Sequence, residues 1–290
     1  MTGRVVAGKE SLPILQTSPE SATQDTVKTW TELDFSNANI FNLPESIDRC
    51  SSVWRISVKQ DKLRSLPQSI SNLPHLTVLD LNGNAFTIFP RVLCGMAKLQ
   101  ELNLYDNKLN DIPEGIQGMT ALKIFNLGHN SFTKFPTALL EMAKLDKLML
   151  PENKLSDIPV EISRMTELRV FWLHSNSFTA FPAALCGMTF LEKLVLVSNQ
   201  LSDLPKEISS MTGLKIFDIC RNRFATFPKA LCGMTNLKWL CLNHNQISDI
   251  PADISRMHGL ETLHLDSNNI THLPPEMKDM KKFGKNCSGQ

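Results

Sequence analysis

The chain has 290 residues, of which 42% are apolar, and a formal net charge of +1. The near-neutral charge argues against a polyanion-binding surface, because phosphate recognition needs clustered Lys and Arg. No segment is apolar over a length that could span a bilayer, and residues 1–26 lack the apolar core of a signal peptide. We therefore expect neither nucleic-acid binding nor membrane insertion.

At the N-terminus, residues 1–26 are predicted to form a disordered or capping segment. We expect disorder over residues 1–17. Ser18-Pro19-Glu20 resembles a helix start, which predicts a short capping helix through about Lys28. The main domain is predicted over residues 27–283, with one helical turn over residues 275–283, and residues 284–290 form a tail.

Prolines divide the main domain at a fixed interval of 23 residues. The eleven members of this series are Pro44, Pro67, Pro90, Pro113, Pro136, Pro159, Pro182, Pro205, Pro228, Pro251 and Pro274. A fixed period of this length indicates a solenoid, in which each repeat packs only against its neighbours.

Each repeat predicts a short strand, a turn and an outer segment. One unit reads Leu76-x-x-Leu79-x-Leu81-x-x-Asn84-x-Phe86-x-x-Phe89-Pro90, and nine of the eleven repeats carry this Asn. Parallel pairing of the strands is expected at roughly 4.8 Å spacing. The Asn amide both donates and accepts hydrogen bonds, so a column of Asn side chains can satisfy backbone groups where the chain leaves the strand.

The apolar pair before the proline alternates between Phe and aliphatic residues. Phe86/Phe89, Phe132/Phe135, Phe178/Phe181 and Phe224/Phe227 recur every 46 residues. We interpret this alternation as core packing of rings against smaller side chains. A ligand channel lined by Phe is the alternative.

Residues between the strand leucines are expected to point to the concave face, because alternate strand residues face opposite ways. The candidate protein-binding residues on this face are Met149, Val170, Trp172, His174, Val195, Val197, Tyr105 and Trp239. Contiguous exposed apolar surface commonly marks a partner site, and Trp is a favoured anchor. The alternative is that these side chains only shield one another.

Near the C-terminal end, Cys241 and His264 occupy equivalent slots on neighbouring strands, with Asp218 beside Cys241. Such neighbours can ligate zinc or form a nucleophile pair. Because no ligand spacing or oxyanion donor accompanies them, we predict no metal, no cofactor and no catalytic residue. A glycine-rich phosphate loop is also absent from the sequence.

The repeat Leu-x-x-Leu-x-Leu-x-x-Asn-x-Leu-x-x-Leu-Pro-x-x-Ile resembles the intracellular leucine-rich repeats of Ras-suppressor proteins, Ras-pathway scaffolds, Scribble and Erbin. The resemblance covers roughly residues 30–280. It implies an α/β solenoid: a leucine-rich repeat horseshoe of about eleven 23-residue repeats, with a parallel inner sheet and an irregular convex side. It also implies a non-enzymatic scaffold or adaptor that binds a protein, for example a component of a small-GTPase pathway.

The seven cysteines are an odd number and are scattered along the chain. Extracellular leucine-rich repeat proteins usually end in disulfide-bonded caps, which this sequence lacks. We therefore expect reduced thiols and a cytoplasmic location, with Cys94, Cys186 and Cys232 as buried small apolar residues. An innate-immune recognition protein, or the ligand-sensing part of a larger receptor, is the alternative function.

Overall fold

The computed structural model describes residues 6–16 and 29–280. These residues divide into two compact units. The first unit comprises the described residues up to 132 together with 136–145, and the second comprises 133–135 and the described residues from 146 onward. Both units are built from the 23-residue repeat that the proline series predicts.

Each unit contains short parallel strands that pair in sequence order. In the first unit they are β1 (Val6–Ala7), β2 (Glu32–Asp34), β3 (Arg55–Ser57), β4 (Val78–Asp80), β5 (Glu101–Asn103) and β6 (Ile124–Asn126). In the second they are β7 (Lys147–Met149), β8 (Val170–Trp172), β9 (Lys193–Val195), β10 (Ile216–Asp218), β11 (Trp239–Cys241) and β12 (Thr262–His264). From β2 onward, paired residues are 23 apart within each unit, so equivalent slots of the repeat form columns across the strands.

A 3-10 helix follows the proline of each repeat on the side opposite to the strands. The helices are Glu45–Arg49, Gln68–Asn72, Arg91–Gly95, Ile116–Gly118, Thr137–Glu141, Val160–Arg164, Ala183–Gly187, Lys206–Ser210, Lys229–Gly233, Ala252–Arg256 and Pro275–Asp279. In ten of the eleven, the repeat proline is the residue before the helix, where its missing N–H leaves no donor unsatisfied. This side is therefore more regular than the sequence predicts.

The Phe residues of the alternating repeats lie in the core. Phe86, Phe132, Phe178 and Phe224 are completely buried. Phe89, Phe135 and Phe181 each meet a strand Phe edge-on, at centroid distances of 6.4, 6.5 and 6.3 Å, and those partners are Phe125, Phe171 and Phe217. The packing interpretation is confirmed for these rings, since they leave no channel open to solvent.

The Asn column connects consecutive repeats through hydrogen bonds. Asn199 accepts the N–H of Phe178 at 3.2 Å and donates to the carbonyl oxygens of Leu173 and Leu196 at 3.1 and 3.0 Å. In the second repeat, Asp61 stands where Asn is expected, and it still accepts the N–H of Ile40 at 3.0 Å. Losing one such buried partner costs about 1–3 kcal/mol.

The residue before the Asn position has a left-handed backbone conformation in every repeat. The eleven residues are Asn37, Gln60, Gly83, Asp106, His129, Glu152, Ser175, Ser198, Arg221, His244 and Ser267. Only Gly83 is a glycine, and none is β-branched, which is the residue class least compatible with positive φ. The turn after each strand is thus held in place although the sequence at this position varies.

Residues 6–16 are ordered and extend the strands of the first unit by one. Val6 and Ala7 pair with Glu32 and Leu33, and a 3-10 helix (Lys9–Ser11) and α1 (Leu12–Gln16) follow. The expected disorder is therefore wrong for residues 6–16, because β1 covers the edge of β2. The capping helix expected from Ser18 to Lys28, and the tail at 284–290, lie outside the described residues.

At the C-terminal end, the 3-10 helix Pro275–Asp279 forms the helical turn that was expected after Pro274. Among the described residues, none of the helices combines the length and the apolar character needed to cross a membrane.

Candidate functional site

The eight predicted binding residues all lie on the solvent side of the strands, which we call the strand face and which corresponds to the concave face predicted above. All eight are partly exposed. Tyr105 is in the first unit, and the other seven are in the second. The middle strand residues, such as Phe171 and Leu194, point the opposite way and are completely buried.

A cleft of 360 Å³ opens on the strand face of the second unit. It is lined by Trp172, His174, Lys193, Val195, Ile216, Asp218 and Trp239, which come from β8, β9, β10 and β11 and from the turn after β8. Four of these are predicted site residues. Met149, Val170 and Val197 lie outside the cleft lining. Lys193 and Ile216 line it but were not predicted, and Asp218 lines it although the sequence indicated it only as a neighbour of Cys241. Lys193 and Asp218 are charged and so do not extend an apolar cluster, and Ile216 lies on β10, one strand beyond the predicted apolar residues of β7–β9.

Aromatic rings form two ends of the cleft. Trp172 lies 6.1 Å from the His174 ring, and the Lys193 ammonium lies 5.4 Å from the centroid of Trp172. At the other end, Trp239 lies 5.3 Å from the ring of His264. A cation over a Trp face contributes about 0.5–2 kcal/mol, with the larger values where water is excluded.

Two nitrogen atoms beside the cleft are buried without a hydrogen-bond partner. They are Nε1 of Trp172 and Nδ1 of His174. Burial lowers the pKa of His174 below its ordinary value, and the Glu152 carboxylate opposes this shift. At neutral pH the imidazole is therefore uncharged. An unsatisfied buried polar group costs about 1–3 kcal/mol, so these two unpaired nitrogen atoms lower the stability of the folded state at this end of the cleft.

Asp218 supplies the carboxylate of the cleft. One of its oxygens accepts the N–H of Cys220 at 3.2 Å. Burial raises the pKa of this carboxyl, while the Cys220 N–H and the positive charges of Lys193 and His264 oppose the shift. None of the described residues forms an ion pair with Asp218. A partly buried carboxylate therefore faces an otherwise mainly apolar cleft.

A disulfide joins Cys220, just after β10, to Cys241 on β11, with 5.6 Å between their Cα atoms. The expectation that every cysteine is reduced is therefore wrong. The bridge runs diagonally between two different slots of the repeat, so the residues in equivalent slots give no indication of it. Among the described residues, Cys50, Cys94, Cys186 and Cys232 are free thiols. Burial raises the pKa of Cys50 to about 12 and that of Cys232 to about 11, which keeps both protonated.

In this structure Cys241 cannot act as the nucleophile of a Cys–His pair with His264. Sγ of Cys241 is bonded to Cys220, so it offers no thiolate to a metal or to a substrate. Asp218, Cys220 and Cys241 place three possible ligand atoms within 4.8 Å of one another, but two of these are the bonded sulfurs. The arrangement on this face is suited to binding, through apolar surface, aromatic rings and one carboxylate.

Comparison with sequence families agrees with the repeat structure. The profile of the leucine-rich repeat family matches residues 51–109 and 189–247, and a second profile, of two leucine-rich repeat copies, matches residues 235–275. Together they cover about half of the chain. The chain is a leucine-rich repeat protein. Among curated proteins, no sequence matches this leucine-rich repeat chain.

Solved leucine-rich repeat structures resemble the whole array. A protein of Leptospira interrogans is 26% identical, with a TM-score of 0.69, over 91% of this chain and 79% of its own. An internalin from Listeria monocytogenes is 20% identical, with a TM-score of 0.69, over 94% and 92% of the two chains. The plant peptide hormone receptor RGFR1, in complex with RGF2, is 26% identical, with a TM-score of 0.66, over 88% of this chain and 47% of the receptor. These similarities confirm the α/β solenoid fold, and a leucine-rich repeat fold is generally a non-enzymatic interaction module.

Proposed function

We propose that this leucine-rich repeat protein recognises a protein partner on the strand face of its second unit, with Trp172 as the anchor. The observation that supports this most strongly is the cleft itself. Its aromatic and aliphatic side chains are on the side of the strands that the core cannot cover, and they adjoin one another on neighbouring strands. Partly exposed apolar side chains that are contiguous in this way are typical of partner sites.

Trp172 has the properties of an anchor residue. It presents a large ring to the cleft, and its indole N–H is unpaired, so a partner carbonyl that gained access to it would satisfy a costly donor. Met149 and Val170 lie next to it on β7 and β8, and Val195 and Val197 lie on β9 and just after it. They would surround the anchor and exclude water, as residues around an interface hot spot do.

The test compares Trp172→Ala with Lys206→Ala. Lys206 has a 91% exposed side chain on the 3-10 helix side, away from the strand face. A partner captured from the source cells with the wild-type protein would be purified and titrated against both variants. We expect Trp172→Ala to weaken binding by about 2 kcal/mol or more and Lys206→Ala to leave it unchanged. Thermal unfolding of both variants checks that the fold is intact.

Two results would contradict the proposal. One is a partner whose affinity depends on Lys206 and not on Trp172. The other is a Trp172→Ala variant that binds as the wild type does.

Two forms of this function differ in the compartment where the protein works. The Cys220–Cys241 disulfide favours an oxidising compartment, and with it a recognition protein or the ligand-binding part of a receptor. The repeat consensus and the four free thiols found within the described part of the chain favour a cytoplasmic scaffold, for example in a small-GTPase pathway. Localisation of the tagged protein in its source cells, together with its thiol content there, decides between these two forms.

A further inference from the structure

Asp218 in the cleft differs in one respect from its equivalent in the first unit, Asp80. Both are the last residue of a strand, and each accepts the backbone N–H two residues later, at 3.2 Å for Asp218 and 3.3 Å for Asp80. The second oxygen of Asp80 pairs with the Lys59 ammonium at 3.3 Å. The buried carboxylate of Asp80 is therefore accompanied by a cation of its own unit.

In the second unit, the position equivalent to Lys59 is occupied by Val197. The closest candidate within the cleft, Lys193, has its ammonium over the ring of Trp172 and forms no ion pair with Asp218. Asp218 consequently has no ion-pair partner among the described residues, and the nearby charge of Lys193 offsets the cost of its burial only in part. Removing a charge from water without a partner is costly, so the cleft is complementary to a cation supplied from outside.

The surroundings of Asp218 favour a guanidinium group over an ammonium group. Trp239 is paired with a cleft residue of the neighbouring strand, Ile216, and among the described residues no Lys or Arg stacks on its ring. A guanidinium is planar, stacks on aromatic rings, binds carboxylates through two N–H groups and is more weakly hydrated than an ammonium. The apolar side chains of Val195 and Ile216 offer contacts to the aliphatic stem of such a side chain.

We propose that the cleft binds an arginine side chain of the protein partner, with the guanidinium stacked on Trp239 and paired with Asp218. The cleft volume of 360 Å³ is at the lower end of the range of ligand pockets, which suits one long side chain. This inference rests on the proposed function, because it specifies what the partner inserts beside the Trp172 anchor.

The experiment uses short capped peptides as probes, Gly-Gly-X-Gly-Gly with X as arginine, citrulline or glutamate. Citrulline keeps the shape of arginine and removes its charge. Binding to the 290-residue protein is followed by NMR through the indole N–H of Trp239. We expect the arginine peptide to bind with a Kd of about 1 mM or tighter, and the citrulline peptide at least about 10-fold more weakly.

Two variants test the role of Asp218 independently of folding. Asp218→Asn keeps an oxygen that can accept the Cys220 N–H and removes the charge. Val197→Lys supplies the cation that Lys59 supplies to Asp80. Both should weaken binding of the arginine peptide by about 10-fold or more, while thermal stability stays the same or rises. The matched control, Asp80→Asn, removes the equivalent charge in the first unit and should leave peptide binding unchanged.

The inference is overturned if arginine and citrulline peptides bind equally, if the glutamate peptide binds best, or if Asp218→Asn binds the arginine peptide as the wild type does. Absence of any Trp239 shift at about 10 mM arginine peptide, ten times the expected Kd, overturns it as well. If these results occur while a protein partner still depends on Trp172, the arginine inference fails and the proposed function stands. If the peptide binds but no partner depends on Trp172, the proposed function fails by itself.

Discussion

The strand faces of the two units have the same backbone and different side-chain chemistry. In the first unit, Asp80, Asn103 and Asn126 end their strands and accept the backbone N–H two residues later at 3.3, 3.1 and 3.1 Å. The same slot in the second unit holds Met149, Trp172 and Val195, which carry no side-chain oxygen. The strand ends of the first face therefore accept backbone N–H groups at these three positions, whereas the equivalent positions of the second face present apolar side chains. A repeat array can thus change the chemistry of one stretch of its strand face through single positions of the repeat, without altering its core.

If the two units share the same core packing, replacing an equivalent Phe by Ala should lower the free energy of unfolding by the same amount in each unit. Phe89→Ala in the first unit and Phe181→Ala in the second should each lower the free energy of unfolding by about 3–5 kcal/mol, since both rings are buried against a strand Phe. Urea unfolding of the two variants measures this. A cost at one site less than about half that at the other would show that the cores of the two units differ.

The disulfide predicts a stability difference between the units. Its cysteines are 21 residues apart, and closing a loop of that size contributes about 3 kcal/mol. Reduction should release two additional thiols and lower the protection of β10 and β11 against hydrogen exchange, with little change in β3–β5. The double variant Cys220→Ser/Cys241→Ser should reproduce this loss, and Cys186→Ser is the control. Equal protection before and after reduction would contradict the prediction.

The pH dependence of stability should include a contribution from His174 in the second unit. Burial lowers its pKa in the folded state, so the unfolded chain, with a pKa of about 6.5, binds the proton more readily. The stability contributed by neutral His174 is complete above about pH 6.5 and is lost as the pH falls through the lowered pKa of the folded state. Urea unfolding between about pH 7.5 and pH 5 should show a smaller loss for His174→Gln than for the wild type. If the variant and the wild type lose the same stability between these pH values, His174 is not the cause of the pH dependence.

The smallest effect on stability is expected for a substitution that places a residue type of the first unit's strand face on the strand face of the second unit. Val195→Asn gives β9 the residue that ends β5 and β6, and its amide oxygen can accept the N–H of Val197. We expect a change in unfolding free energy within about 0.5 kcal/mol, because the position is on the surface, and weaker partner binding. The reciprocal variant Asn126→Val is the control and should leave partner binding unchanged. A large loss of stability in Val195→Asn would show that the apolar face supports the fold.

The sequence predicts the strands, the Asn column and the Phe packing because a strict period places equivalent residues in equivalent environments. It does not predict β1, since Val6 and Ala7 belong to no repeat. It also misses the disulfide and the place of Asp218 in the cleft, for two different reasons. The disulfide joins residues that are diagonal across two strands, and a comparison of equivalent slots contains no diagonal distances. Asp218 is directly opposite Val195 in an equivalent slot, but its charge sets it apart from the apolar side chains that predicted the site. The left-handed residues are missed because the turn imposes their conformation, and only one of the eleven is a glycine that would indicate it in the sequence.

The bridge between Cys220 and Cys241 also changes how the array can come apart. In a linear repeat protein each repeat contacts only its neighbours, so unfolding can begin at an end and progress one repeat at a time. Fraying from the C-terminal end can release β12, but β11 remains covalently attached to the turn after β10. The two strands that carry Trp239 and Asp218 therefore stay adjacent when the end of the array opens. These two cleft residues remain close together while the repeat of β12 exchanges between folded and unfolded forms.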